Sequence, residues 1–139
     1  MDGLLVVDKP RGPTSHDIVA AARRHFSTRA VGHAGTLDPM ATGVLVLLFG
    51  EALKLSAYLT LETKTYVAEV RLGIATDTLD AEGRVTLSEP LAAENLTRER
   101  IEAALARERA RIAQVPPAVS SIKVRGERAH RLARRGEPP

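Results

Sequence analysis

The chain has 139 residues and a mass of 15.0 kDa, the size of one small domain or of part of a larger one. Apolar residues at 44% and charged residues at 27% exclude a disordered chain, and the densest apolar run, residues 44–49, falls far short of the roughly 18 residues a membrane helix needs. With no cysteine, disulfide scaffolds, thiolate zinc sites and thiol nucleophiles are excluded too, and a reducing cytoplasm is the expected compartment. The start, Met1-Asp2-Gly3, lacks the basic n-region of a secretory signal.

The net charge of +3 conceals a polarity. Residues 1–97 carry nine basic and twelve acidic side chains, a balance of −3, whereas residues 98–135 carry eleven basic and four acidic, a balance of +7. Sixteen of the twenty basic residues are arginine, whose planar fork suits bidentate phosphate contact. Such a block fits a nucleic-acid contact and fits a solvated helix face equally well. The aromatics are only Phe26, Phe49, Tyr58 and Tyr66, too few for the stacking platforms of a single-strand binder.

In chain order, residues 3–7 form a buried strand stopped by the turn chemistry of Asp8-Lys9-Pro10-Arg11-Gly12-Pro13. Thr14-Ser15-His16-Asp17 has the spacing of a helix start, and Ile18, Ala21, Ala22, His25 and Phe26 continue at helical spacing to about residue 26. A glycine-punctuated loop over 30–43 leads into an apolar strand over 44–49, and residues 51–61 follow as a short helix. Residues 65–72 alternate, with Tyr66, Ala68, Val70 and Leu72 on one face, which predicts a strand. An acidic turn over 76–83 returns it to a hairpin partner at 84–87. Thr97 caps a helix running to about residue 112, striped by Ile101, Leu105 and Ile112. Pro116-Pro117 breaks it before a short strand near 119–124 and a basic helical stretch over 127–135. The fold class expected is α+β, a mixed and largely antiparallel sheet with packed helices.

The most informative stretch is Gly32-His33-Ala34-Gly35-Thr36-Leu37-Asp38-Pro39-Met40-Ala41-Thr42-Gly43. Pro39 pushes Asp38 into an extended conformation, so the carboxylate sits on a stiffened loop beside a buried strand. On residues alone, Asp38 is either a turn former or a catalytic group. No P-loop, nucleophile elbow or metal-ligand spacing accompanies it.

This run resembles the catalytic motif of the TruB-type tRNA pseudouridine synthases. Asp8-Lys9-Pro10-Arg11-Gly12-Pro13-Thr14-Ser15 is similar to that family's first motif. Lys64-Thr65-Tyr66, Arg71-Leu72-Gly73 and Thr76-Asp77-Thr78 with Asp80 match the next. Gln114-Val115-Pro116-Pro117, Ile122-Lys123, Gly126 and Ala133-Arg134 match the segment after it. The resemblance implies isomerisation of a uridine in the T loop of tRNA, at conventional position 55. The N1–C1′ bond is broken and C1′ is joined to uracil C5, with no cofactor and no metal.

It further implies that Asp38 is the nucleophile, acting at C1′, at uracil C6, or as a base at the sugar; the sequence leaves all three routes open. The base must be extruded to meet the carboxylate. Tyr66 would stack on it, with a plain sheet-face aromatic as the other reading, and His33 would hold the flipped nucleotide, or be structural. Lys9 and Pro10 would support the loop, and Asp80 would stand beside the site or organise its own turn. Lys54, Lys123, Arg125, Arg128 and Arg131 are candidates for the RNA backbone or for solvated charge. The expected partner is the T-arm stem-loop of tRNA, with no membrane and no obligatory protein partner. By the same resemblance, residues 1–139 correspond to the N-terminal portion of the catalytic domain, without its later arginine-bearing motif and without the C-terminal PUA domain. The alternative is a non-catalytic RNA-binding fragment of the same fold.

Overall fold

The computed structural model describes residues 1–92, 94, 96–113, 122–124 and 126–137. They form two compact units, Met1–Val67 and Ala68–Pro139.

The first unit is built on a three-stranded antiparallel sheet. Strand β1 (Gly3–Lys9) pairs with β3 (Gly43–Phe49) from Gly3 opposite Phe49 to Lys9 opposite Gly43, and β2 (Val31–Ala34) pairs with the other side of β3. One face is the core. Leu45, Leu47 and Phe49 alternate inward with Val31, and helix α1 (Ser15–His25) lays Val19 and Ala22 across them. Phe26 closes one end edge-on to Phe49, with ring centroids 5.2 Å apart. Arg23 ties helix to sheet by donating from Nη2 to the Val31 carbonyl at 2.7 Å. The opposite face presents Leu4, Val6 and Val44, exposed to 53%, 64% and 72%. A 3-10 helix (Gly50–Leu55) and helix α2 (Ser56–Leu61) follow β3.

The start of α1 obeys the rule that predicted it. The Thr14 hydroxyl accepts from the Asp17 N–H at 3.1 Å, and the Asp17 carboxylate accepts from the Thr14 N–H at 2.8 Å, a complete capping box. Those hydrogen bonds from Thr14, side chain first, hold the Asp17 carboxyl below the usual carboxylate range.

In the second unit, β4 (Ile74–Thr76) and β5 (Val85–Ser88) form an antiparallel hairpin. Gly73 precedes it at φ +81°, where a Cβ would stand 2.4 Å from the Glu89 carbonyl oxygen; the Glu89 N–H donates to the Gly73 carbonyl at 2.8 Å. Helix α3 (Arg98–Arg109) starts with the Arg100 N–H on the Thr97 hydroxyl and buries none of its residues. A two-residue hairpin, β6 (Lys123–Val124) with β7 (Glu127–Arg128), leads into helix α4 (Ala129–Arg134). The α+β class holds, and every strand pair among the described residues is antiparallel.

Several expectations change. The strand expected to be buried over residues 3–7 exposes Leu4, Leu5 and Val6, and it runs on through Asp8 to Lys9, residues expected in the turn. The short helix expected over 51–61 is a 3-10 helix followed by α2. The loop predicted over 30–43 contains β2, whose four residues include a glycine and give no readable alternation. Residues 65–72 form no strand: the hairpin is shifted to 74–88, and the alternating residues lie exposed. Alternation records which side chains share a face, but a strand also needs a neighbour for its N–H and C=O groups, and no ladder reaches this segment among the described residues. Helix α3 stops at Arg109, short of Ile112, and residues 127–128 are strand rather than helix. The expected features at residues 114–121 lie outside the described residues.

Because the folded Asp17 carboxyl titrates below its unfolded value, its contribution to stability is present above the unfolded value, ~3.9. It is lost as the pH falls through the folded value. Asp17→Asn should therefore flatten part of the acid limb of stability against pH, measured by urea midpoints from about pH 5 to about pH 2.

Candidate active-site loop

β1 ends opposite the first residue of β3, so the turn leaving β1 and the loop entering β3 emerge at the same end of the sheet. Their meeting builds the site. The loop from Gly35 to Thr42 is held on either side of Asp38 by residues 9–15. Before Asp38, Leu37 is fixed through its main chain: its N–H donates to Ser15 Oγ at 2.9 Å, and the same hydroxyl donates to the Leu37 carbonyl at 3.0 Å. After Asp38, the Pro39 carbonyl accepts from the Gly12 N–H at 2.8 Å and from Lys9 Nζ at 3.3 Å. Lys9 Nζ also donates to the Pro10 carbonyl at 2.9 Å, and the lysine is fully buried. Burial strips the Lys9 amino group of water, and these two carbonyls accept two hydrogen bonds from it in exchange.

Asp38 itself turns outward. Its carbonyl accepts from the Ala41 N–H at 3.0 Å, closing a tight turn, and its side chain is exposed. Among the described residues no hydrogen bond or ion pair reaches its carboxylate. A carboxylate so placed can act as a nucleophile or a base toward a molecule laid against the loop.

His33, on β2, donates from Nδ1 to the Gly35 carbonyl at 2.7 Å; a carbonyl only accepts, so the ring nitrogen must carry the proton. In the neutral ring Nε2 is then an acceptor. From the other side, Lys64 donates to the carbonyls of Thr60 at 2.7 Å and Glu62 at 2.9 Å, and its stem passes over Gly35, 3.5 Å from where a Cβ would be.

Tyr66 lies two residues beyond Lys64, 66% exposed, with no ring contact among the described residues. It is not on a sheet face, and among the described residues no hydrogen bond links it to Asp38. Asp80 organises its own turn in the second unit, accepting at Oδ1 from the Thr78 hydroxyl at 2.6 Å and the Glu82 N–H at 2.9 Å. In the same turn the backbone N–H and then the side chain of Arg84 hold the Asp77 carboxyl below its ordinary range. Lys54 is paired with Glu51. Lys123, Arg128 and Arg131 are exposed, and Arg125 lies outside the described residues. Arg135 is committed to a two-pronged pair with Glu127 at 2.7 and 2.9 Å, which lowers the Glu127 carboxyl below its usual range and raises the guanidinium. Among the described residues there is no cluster able to hold a metal ion and no helix long and apolar enough to cross a membrane.

Sequence reasoning missed the part played by Ser15 and Gly12. Both sit in a motif whose glycine and serine read as turn and cap chemistry, and only the sheet register shows what they face.

The fold and loop define a class: an α+β scaffold whose first unit carries an exposed carboxylate, Asp38, on a pinned loop, and whose sequence is basic over residues 98–135. Residues 23–139 match the TruB family pseudouridylate synthase (N terminal domain). Curated relatives called tRNA pseudouridine synthase B are similar: that of Mycobacteroides abscessus is 58% identical over 135 residues, 97% of this chain and 45% of the relative. That of Mycobacterium tuberculosis is 58% identical over 134 residues, 96% and 44%, and that of Mycobacterium avium 57% over 135 residues, 97% and 43%. The chain belongs to the TruB family, and it spans a little under half the length of these relatives.

The His33 hydrogen bond has a direct spectroscopic consequence. Nitrogen-15 spectra of the neutral ring should show Nδ1 protonated and Nε2 bare, the reverse arrangement being incompatible with the Gly35 contact.

Proposed function

We propose that this chain supplies the nucleophile-bearing part of a tRNA pseudouridine synthase that converts uridine 55 of the T loop to pseudouridine in the cytoplasm. The observation that carries the reading is the exposed, unpartnered Asp38 carboxylate on a loop pinned at Leu37 and Pro39. Family membership and the names of the relatives support it.

In this reading the uridine leaves the T-loop stack and enters beside Asp38. Net change is confined to the nucleoside: C1′–N1 breaks, C1′–C5 forms, the C5 hydrogen is lost and N1 gains a proton. Nothing is oxidised, so the reaction calls for no redox or energy cofactor. The carboxylate acts reversibly, at C1′, at C6 of the ring, or as a base at the sugar. The uracil leaves as a delocalised anion, so a glycosidase-like pair of carboxylates is not required. His33, with Nε2 outward, offers an acceptor at the edge of the loop. Tyr66 would have to be drawn in by the substrate to stack on the extruded base. Lys9 and Pro10 support the loop from beneath. The exposed cations Lys123, Arg128 and Arg131 contact T-arm phosphates, giving affinity without sequence information. In this reading residues 1–139 form the N-terminal portion of a catalytic domain, in keeping with the match of residues 23–139 to the N-terminal domain of the family.

A T-arm stem-loop tritiated at uridine C5 tests this. Asp38→Asn should abolish tritium release, a fall on the order of 10³-fold or more, while leaving T-arm binding little changed. Release that survives the substitution would remove Asp38 from the chemistry. T-arm binding with no release by the unsubstituted chain would favour the non-catalytic RNA-binding reading. Arg131→Ala should weaken binding to T arms of any sequence and reduce the slope of log affinity against log salt by about 1.

A further inference from the structure

Among the groups that hold the loop, the Ser15 hydroxyl stands apart. It is the first residue of α1, it is 2% exposed, and it lies 22 residues away from Leu37 in sequence. Its single oxygen uses its proton on the Leu37 carbonyl and a lone pair on the Leu37 N–H, so both main-chain polar groups of the residue before Asp38 are fixed by one side chain. A helix start calls for a side-chain oxygen to accept from the helix's own first N–H groups. Here Thr14 and Asp17 already perform that task, which leaves Ser15 available to another segment.

We propose that Ser15 is a positioning residue for Asp38, setting the carboxylate's place through the Leu37 peptide. The inference rests on the assignment of Asp38 as the reacting group. The Asp38 side chain has no partner of its own among the described residues, so its position is inherited from its neighbours. Pro39 is tied to the N-terminal turn by Gly12 and Lys9, and Leu37 is anchored in the core by its side chain. Core packing fixes where the Leu37 side chain sits but leaves its peptide planes free to rotate. Rotation of those planes swings the next residue's Cα–Cβ bond, and the Ser15 hydroxyl is what prevents it. A displacement of about 1 Å at a reacting group can lower a rate on the order of 10²-fold.

The experiment compares Ser15→Ala, Ser15→Thr and Val19→Ala in the 139-residue chain. Val19 is buried on the same helix, one turn on, in the core cluster against which the Leu37 side chain packs, so Val19→Ala reports loss of packing with the Ser15 hydroxyl kept. First, amide hydrogen exchange and nitrogen-15 order parameters are read at Leu37 and Asp38, whether or not the chain turns over. Ser15→Ala should speed exchange at Leu37 and lower order at Asp38, Val19→Ala should not do so selectively, and Ser15→Thr, which keeps the hydroxyl, should restore protection. Unchanged Leu37 and Asp38 amides in Ser15→Ala would overturn the proposal. Second, tritium release from the labelled T arm is followed well below each variant's Tm. Ser15→Ala should lower kcat on the order of 10²-fold with KM little changed, and Val19→Ala should lower neither. Normal kcat in Ser15→Ala alongside an inactive Asp38→Asn sinks the positioning role and leaves the Asp38 assignment standing. Release that persists in Asp38→Asn sinks the assignment itself.

Discussion

The pairing of β1 with β3 runs the full length of both strands and ends with Lys9 opposite Gly43. That register decides where two separate stretches of chain leave the sheet, and the whole of the Asp38 loop depends on their leaving together. A slip of one residue would turn Leu45, Leu47 and Phe49 out of the core, so burial under α1 locks the register. Once it is locked, residues 9–15 necessarily face residues 37–39. The hydrogen bonds of Lys9, Gly12 and Ser15 to the loop are consequences of a packing decision made on the other side of the sheet.

The division of labour within the loop follows from this. Hydrogen bonds from the N-terminal turn go to main-chain atoms of Leu37 and Pro39, none to the Asp38 carboxylate. A carboxylate fixed by its own hydrogen bonds would be stabilised as an anion and lose reactivity toward an incoming group. Holding the neighbours instead keeps the group oriented and its lone pairs available, the condition a reversible nucleophile needs.

How much of this could be read from residues alone varies with the physics behind each feature. The strand at 44–49 and the cap at Thr14 and Asp17 are local: contiguous apolar residues and a four-residue spacing carry them. The Asp38 loop stood out as a stiffened, glycine-flanked segment, but its residues alone fitted a turn as well as a catalytic group, and only the resemblance of its motif to a family pointed to chemistry. β2 was not legible, since Val31-Gly32-His33-Ala34 becomes a strand only because β3 lies beside it. The reverse error occurred at residues 65–72, where good alternation meets no partner. Ser15 shows the same limit at a single atom: the sequence places it at a helix start, but its hydrogen bonds go to a residue 22 positions away. The basic C-terminal half was legible as a charge count, though not its pairing, in which Arg135 is taken by Glu127.

The sheet face that carries Leu4, Val6 and Val44 has a bearing on how the chain behaves in a test tube. Three apolar side chains on adjoining strands, next to the edge of β1 that pairs with no strand among the described residues, form a strip that water wets unfavourably. Its attraction for similar strips grows with warming and with excluded salts such as sulfate, whereas the chain's surplus of positive charge opposes close approach. Cold, dilute, low-sulfate buffer therefore favours single molecules, and concentrating the protein in ammonium sulfate brings these faces together before it disturbs the α1-covered core.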